Sequence, residues 1–284
     1  MLKKYLWYNP SGGTWENGAN WLDIDALTTG TAPGVGDTAY INSSYTTSAT
    51  VISLNSTFDG YLIGEVGSEY TLDICSGGFL SAPDTVNNNF GELIVRSGGS
   101  FECAEDGVIN CRRSFVAEAG STFILQYNTV NVGIGFGEAY TEFILGDTGS
   151  CNGAVVNIVN GTSGVCVQLA DGQAFSEINL ELLEGHGPDD GDNVMRFTNA
   201  EIYILRITGK GTLCFEDSAG TGDDADFYLM GASNGFYPEG TAPESLTLKA
   251  LGSGKHWTVT TEFSEPSVNA INCVITDSIG ILAV

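Results

Sequence analysis

The sequence predicts an all-β protein whose strands stack as a right-handed parallel β-helix, and three observations favour this fold class. Charged residues make up only 16% of the 284 residues, and glycine is abundant with 38 copies; this composition is typical of short strands joined by many turns. A 21-residue repeat runs through part of the chain. Several further segments alternate apolar and polar residues, as half-buried strands do. A β-sandwich or jelly roll uses similar strand lengths and is the alternative architecture.

The repeat is clearest in three gap-free segments, which read LDICSGGFL from residue 72, LIVRSGGSF from residue 93 and SFVAEAGST from residue 114. If each repeat is one coil, its short strands pair in parallel with those of the next coil, and alternate side chains point inward. This model predicts one inward column and one glycine corner, each recurring every 21 residues: Ile74, Val95 and Val116 in the column, and Gly78, Gly99 and Gly120 at the corner.

Strand-like segments continue after residue 140 with looser spacing. They are bounded by Gly, Asn, Asp or Pro, as strands are. We therefore predict one continuous run of coils over residues 46–284, preceded by an N-terminal cap and first strand over residues 1–45. The later strands are predicted at 154–159, 178–183, 200–207, 245–251 and 257–261.

The predicted cap contains three of the four tryptophans, Trp7, Trp15 and Trp21. A stack of coils has an open end where core side chains and strand edges would meet water. We expect the three indole rings to cover that end rather than to bind a ligand.

The charge balance disfavours two classes of partner. The chain has 35 acidic and 10 basic residues, which gives a net charge of −25. Such a chain is repelled by nucleic acids and by anionic lipid, so neither nucleic acid nor membrane is expected as a partner. The N-terminus has two lysines but no apolar stretch of seven residues, and no run of 18 apolar residues occurs. We therefore expect no signal peptide and no transmembrane segment.

The seven cysteines are predicted to be free thiols. Their number is odd and no CxxC motif occurs, so neither a disulfide framework nor a zinc site is favoured. Most lie in apolar, strand-like runs, where a reduced cysteine acts as a small buried apolar side chain.

Catalytic chemistry is not expected, and no catalytic residue or cofactor is assigned. No GxSxG, P-loop or HExxH motif occurs, and only two histidines are present. A glycoside hydrolase needs two carboxylates about 5–10 Å apart. Three pairs are candidates, but with 35 carboxylates chance pairs are expected and we interpret these as surface charge: Glu181 with Glu184, Glu201 with Glu216, and Glu102 with Glu118.

Two acidic, glycine-containing loops are the candidate calcium sites. Calcium prefers six to eight oxygen ligands, which clustered carboxylates begin to supply. Neither loop has EF-hand spacing, and solvated turns are the more common reason for such loops. The candidate ligands are Asp189, Asp190 and Asp192 in the first loop, and Asp223, Asp224 and Asp226 in the second.

Short motifs rich in tryptophan, asparagine and glycine lie near the start of the chain, where residues 14–21 read TWENGANW and residues 32–41 read APGVGDTAYI. They resemble the opening of a group of phage and bacterial parallel β-helix surface proteins, which has Trp, Asn-Trp, Pro and Gly-Asp before a first strand. The segments LTLK from residue 246, WTV from residue 257 and NCVITDS from residue 272 are similar to its last coils. The group includes viral fibres, spikes and decoration proteins as well as bacterial adhesins.

The resemblance implies a non-enzymatic structural protein on the surface of a virus particle, such as a phage capsid decoration, head fibre or tail-associated fibre assembled in the host cytoplasm. The partners expected for such a protein are its own copies, as a homotrimer, and other virion proteins, with host-surface glycans as a further candidate. A bacterial surface adhesin module and a tailspike-like polysaccharide-degrading enzyme are the alternative functions.

Overall fold

The computed structural model describes residues 3–47, 49–65, 69–82, 88–133, 140–146, 148–159, 164–169, 172–182, 193–196, 199–216, 225–229, 245–250, 257–261 and 273–276. After residue 181 only the backbone is described, apart from Met195. The chain divides into two compact units. One contains Met1–Gly135 and Gly146–Ser150, and the other contains Phe136–Leu145 and Cys151–Val284.

The protein is all-β, and its strands form a β-solenoid of about six turns. Parallel ladders join strands of successive coils, which confirms the β-helix class and shows that the alternative β-sandwich or jelly roll was wrong. Within the described residues the helices are two 3-10 turns, Gly18–Asn20 and Ser43–Tyr45. None of the described helices is long and apolar enough to cross a membrane.

In the first unit, the strands stack into three parallel sheets that succeed one another around each coil. The first sheet contains Gly13–Thr14, Val51–Leu54, Thr71–Ile74, residues 92–95 and residues 114–117. The second contains Thr57–Asp59, Phe79–Ala82, Ser100–Cys103 and Thr122–Gln126. The third is made of two ladders that are stacked without a backbone pairing between them: Lys4–Trp7, Thr38–Ile41 and Tyr61–Gly64 form one, and residues 88–90, residues 108–111 and Thr129–Val132 form the other. Residues 88–90 and 92–95 are the two halves of strand Asn88–Val95, and residues 108–111 and 114–117 are those of strand Val108–Ala117.

The interior of these coils is built from columns of apolar side chains in register. Alternate residues point inward because the side-chain period of a strand is two. In the second sheet one such column is fully buried and largely aromatic, and it contains Phe58, Leu80, Phe101 and Phe123. Each coil alone would expose its inner face, so the columns bury apolar surface only when the coils stack.

The predicted column is correct for two coils and wrong for the third. Ile74 pairs with Val95 and both are fully buried. Val95, however, pairs with Ala117, while Val116 pairs with Ile94 and faces outward. The spacing becomes 22 residues here because the ladder shifts register between Phe90 and Glu92, where strand Val108–Ala117 contains one extra residue.

The glycine corner follows the same shift. At this corner of the coils, the glycines with left-handed backbone are Gly77, Gly98 and Gly120, at φ values of 81°, 78° and 79°. Gly77 N–H donates to Gly98 O at 2.8 Å, and Gly98 N–H donates to Gly120 O at 2.9 Å. Gly78 and Gly99 therefore stand one position after this column, and grouping them with Gly120 was wrong.

The N-terminal strands pair in both parallel and antiparallel directions. Lys4–Trp7 pairs in parallel with Thr38–Ile41 on one side and antiparallel with Trp21–Asp23 on the other. Trp21–Asp23 pairs antiparallel with the two-residue strand Thr28–Thr29. The third sheet thus ends in a short strand, which leaves little free edge for unwanted pairing.

The three tryptophans near the N-terminus pack against one another. Trp7 and Trp15 lie 5.1 Å and 4.6 Å from Trp21 between ring centroids, and all three are buried. Trp15 also contacts Phe58 of the second sheet at 4.6 Å between ring centroids. The Trp21 indole N–H donates to Trp15 O at 2.8 Å, so its polar group is satisfied inside the core.

The polar residues of the opening motif fix the turns of the cap. The buried Asn20 side chain donates to Thr14 O at 2.9 Å and accepts from the Asn9 amide at 3.0 Å. The Asp37 carboxylate accepts from Gly34 N–H and from Lys3 N–H, both at 2.9 Å. Asn20 and Asp37 therefore serve a structural role in this chain.

The second unit continues the parallel pattern, and strands appear at all five positions predicted beyond residue 150. Its inner face includes a buried column of Phe143, Val167 and Met195. Its strands are Thr141–Ile144, Ser150–Val159, Val165–Gln168, Ala174–Leu182, Asn193–Arg196, Asn199–Glu216, Ala225–Leu229, Ser245–Ala250, Trp257–Thr261 and Cys273–Thr276. The first residue of Ser150–Val159 belongs to the first unit.

Candidate functional site

The candidate calcium ligands fall mostly outside the described residues, where Asp189, Asp190, Asp192, Asp223 and Asp224 lie. The backbone of Asp226 belongs to strand Ala225–Leu229 and pairs with Asn199 and Thr258 in the neighbouring strands. In the part of the chain that the structure describes, no three His, Cys, Asp or Glu side chains form a group that could hold a metal ion.

The candidate carboxylate pairs do not form a shared site where both side chains are described. Glu102 lies in the second sheet between Ser81 and Ile124. Glu118 follows the first-sheet strand and is bound to Arg96. For the other pairs, the Glu181 side chain is exposed, Glu184 lies outside the described residues, and Glu201 and Glu216 are described by backbone only.

An ion bridge spans three coils at the end of the first sheet. The Arg96 guanidinium donates to both carboxylate oxygens of Asp73, at 2.8 Å and 3.1 Å, and to Glu118 Oε1 at 2.7 Å. The hydrogen bond from Arg96 lowers the pKa of Glu118, and the bonds to Asp73 and Glu118 raise the pKa of Arg96. One guanidinium therefore joins the coil before it to the coil after it.

A second group of side-chain ion pairs joins coils on the outer side of the first unit. Arg113 Nη2 lies 3.4 Å from Glu92 Oε2, and this carboxylate oxygen also accepts from the Thr71 hydroxyl at 2.9 Å. Arg112 Nη1 lies 2.6 Å from Glu69 Oε1. Arg112 and Arg113 lie opposite the single residue Gly91, where the strand contains one extra residue, and both bind acidic residues of other coils.

Three asparagines form a ladder along the outer side of the third sheet. Asn131 Nδ2 donates to Asn110 Oδ1 at 2.7 Å, Asn110 Nδ2 donates to Asn89 Oδ1 at 2.9 Å, and Asn89 Nδ2 donates to Gly64 O at 2.8 Å. The three asparagines are 21 residues apart in the sequence. Sequence reasoning missed this ladder although the spacing was visible, because the repeat was traced through its apolar residues. In the second unit, Asn179 Nδ2 donates to Asn157 Oδ1 at 2.8 Å in the same way.

The cysteines whose side chains are described pack in the core or at its margin. As predicted, none of these five is in a disulfide, and all but Cys75 are buried; they are Cys75, Cys103, Cys111, Cys151 and Cys166. Burial raises the pKa of Cys151 to about 12 and raises the pKa of Cys111 further. These two thiols are thus protonated at neutral pH and are not nucleophiles. Cys214 and Cys273 are described by backbone only.

The outer side of the cap strands differs from the rest of the third sheet. Alternate residues of the four strands Trp21–Asp23, Lys4–Trp7, Thr38–Ile41 and Tyr61–Gly64 point away from the core. One row runs straight across these strands, because Leu6 pairs with both Leu22 and Tyr40, and Tyr40 pairs with Ile63. We call these outward residues the cap face: Lys4, Leu6, Leu22, Thr38, Tyr40, Tyr61 and Ile63.

The cap face extends beyond the ends of two strands. Tyr8, which is exposed, follows Lys4–Trp7 and packs against Tyr45, with 5.3 Å between the ring centroids. The set of seven outward residues contains one lysine and no carboxylate. It is an apolar, aromatic surface on an acidic protein.

Comparisons with known proteins give no relative to which this chain can be assigned. No family model matches it. No curated protein and no solved structure matches it either.

Proposed function

We propose that this chain is a non-enzymatic structural protein exposed on the surface of a virus particle, as a phage capsid decoration, head fibre or tail-associated fibre. The observation that carries the proposal is how the first unit uses its polar side chains. Three arginines and three asparagines, which could line a binding cleft, instead join different coils of the stack.

The side-chain bonds between coils suit a structural protein that remains rigid on the outside of a particle. In a solenoid each coil contacts only its neighbours, so resistance to local opening depends on the bonds between adjacent coils. The bridge centred on Arg96 joins three coils, and the ladder from Asn89 to Asn131 adds a hydrogen bond at each step. These bonds add to the backbone ladders and favour a firm surface element.

Two further features support a viral setting. The segments at residues 14–21 and 32–41, which resemble the opening of phage β-helix proteins, fold as the cap of a solenoid in this chain. The net charge of −25 keeps the protein away from the packaged nucleic acid and therefore suits an external position. The proposed partners are further copies of this chain, as a homotrimer, and other virion proteins, with host-surface glycans as a candidate target.

Purified virus particles test the proposal directly. We expect peptides of this chain in gradient-purified particles at a fixed ratio to the major capsid protein, and gold-labelled antibodies against it on the particle exterior. A non-structural protein encoded by the same genome serves as the control for contamination and should be lost on purification. Absence of the chain from the particles, or its presence on the bacterial surface without them, would refute the viral role and favour the adhesin alternative.

A further inference from the structure

We propose that the cap face is the surface through which copies of this chain associate into a homo-oligomer. The inference deepens the self-association part of the proposed function by naming the surface, and it does not depend on the viral setting. Its centre is the row from Leu22 through Leu6 and Tyr40 to Ile63, and Tyr61 and the Tyr8–Tyr45 pair extend it.

The composition of the cap face is that of an interface centre rather than of ordinary solvent-exposed sheet. Interface centres are rich in aromatic residues and poor in charged ones. The next three coils belong to a separate backbone ladder, and there Asn89, Asn110 and Asn131 form an outward row joined by side-chain hydrogen bonds. The change from apolar to polar residues between the two ladders therefore marks the cap face as a separate surface.

The charge of the chain indicates which partner the cap face fits. Two copies with a net charge of −25 each repel one another wherever their carboxylates meet. A sheet face whose outward side chains include no carboxylate is a place where like-charged copies can approach closely. A basic partner would instead gain most by binding where the carboxylates are. The charge distribution thus favours a second copy of this chain.

The geometry allows a sheet-on-sheet contact. Four strands about 4.8 Å apart, three with two outward positions and Trp21–Asp23 with one, give a face of about 250 Å², and two such faces can pack about 10 Å apart. A standard protein interface buries about 800 Å² on each partner. The cap face therefore forms the centre of the contact, and the adjoining surface that includes Tyr8 and Tyr45 forms its rim.

Sedimentation velocity and light scattering on the full chain test the proposal. We expect a mass of two or three times that of the chain, with association strengthened as the salt concentration rises from about 0.01 M to about 0.15 M, because the screening length falls from about 30 Å to about 8 Å. Tyr40→Lys and Tyr61→Lys should each weaken association by at least about tenfold.

The matched control is Ile124→Lys, at an outward position of the second sheet opposite Glu102. All three substitutions change the net charge equally, from −25 to −24. If net charge alone governed association, all three substitutions would strengthen it. Packing at the cap face instead predicts weaker association of Tyr40→Lys and Tyr61→Lys and no weakening in Ile124→Lys. Circular dichroism verifies folding, and Tyr61, already 41% exposed, is the variant least able to disturb it. A monomeric wild-type chain, equal association of Tyr61→Lys and Ile124→Lys, or weaker association at higher salt would overturn the proposal. None of these outcomes bears on whether the chain is found in virus particles.

Discussion

Replacing Val95 by aspartate places a carboxyl group in the middle of a buried column. Val95 is fully buried and pairs with Ile74 on one side and Ala117 on the other. These neighbours are apolar and offer no side-chain partner for a carboxylate. A buried unpaired charge is among the most destabilising changes known for single substitutions.

The expected cost comes from two contributions. Removing the valine loses about 2 kcal/mol of burial free energy. A fully buried carboxyl has its pKa raised so far that it stays protonated in the folded state, and holding that proton at neutral pH costs about 4 kcal/mol. The sum, about 6 kcal/mol, is comparable with the whole stability of many domains.

The assay is urea unfolding followed by circular dichroism, together with hydrogen exchange of residues 92–95. Since the folded state holds the proton more tightly than the unfolded state, the penalty of Val95→Asp should shrink as the pH falls towards the ordinary aspartate pKa. Val116→Asp is the matched control. Val116 faces outward, so the same change there should cost less than about 1 kcal/mol. Equal losses in the two variants would refute the register described above and support a strict 21-residue repeat.

Three further outcomes are expected. Asn110→Ala removes two ladder bonds and should cost about 1–3 kcal/mol by urea unfolding; a change below a few tenths would show that the ladder is not stabilising. Arg96→Gln should cost about 1–3 kcal/mol at neutral pH: the pair with Glu118 contributes little because both side chains are more than a third exposed, whereas Asp73, only 16% exposed, loses both guanidinium hydrogen bonds. Because Arg96 lowers the pKa of Glu118, this carboxylate stabilises the folded state at pH values above its unfolded-state pKa, and that stability is lost as the pH falls through the folded-state pKa. In acid unfolding titrations, Arg96→Gln should therefore lose less stability with falling pH than the wild-type chain. Thiol titration of the unfolded chain without reductant should find seven thiols, whereas Cys111 and Cys151 should be unreactive in the native protein; five or fewer thiols, or rapid native labelling, would contradict this.

The fold class could be predicted from the sequence because its determinants are local and repeated. Alternation specifies which face of a strand is buried, and the spacing of Ile74 and Val95 gives the coil length. The next coil could not be placed, because a single added residue near Arg112 changes the inward position from Val116 to Ala117. Shifting a strand by one residue moves every side chain to the opposite face, and both residues are small and apolar, so hydrophobicity alone did not distinguish them.

The outer surface was less predictable than the core. Asparagines 21 residues apart were visible, but their ladder depends on the three strands being in register, which only the backbone pairing fixes. Likewise, Arg96 could be read as scattered basic charge until the stacking placed it between Asp73 and Glu118. The cap face required the antiparallel strand Trp21–Asp23, which a search for parallel repeats does not indicate.

The cap makes a prediction about how stability is distributed along the first unit. Trp21 contacts Trp7 and Trp15 and is fully buried, so Trp21→Ala should cost about 3–5 kcal/mol. Because each coil of a solenoid interacts mainly with its neighbours, this loss should be concentrated at the capped end and decline coil by coil. Hydrogen exchange should therefore show lost protection in Lys4–Trp7 and Thr38–Ile41 and retained protection in Thr129–Val132, with Trp21→Phe as the milder control. An equal loss of protection in all three strands would show that the unit unfolds as one cooperative block and that the nearest-neighbour description is wrong.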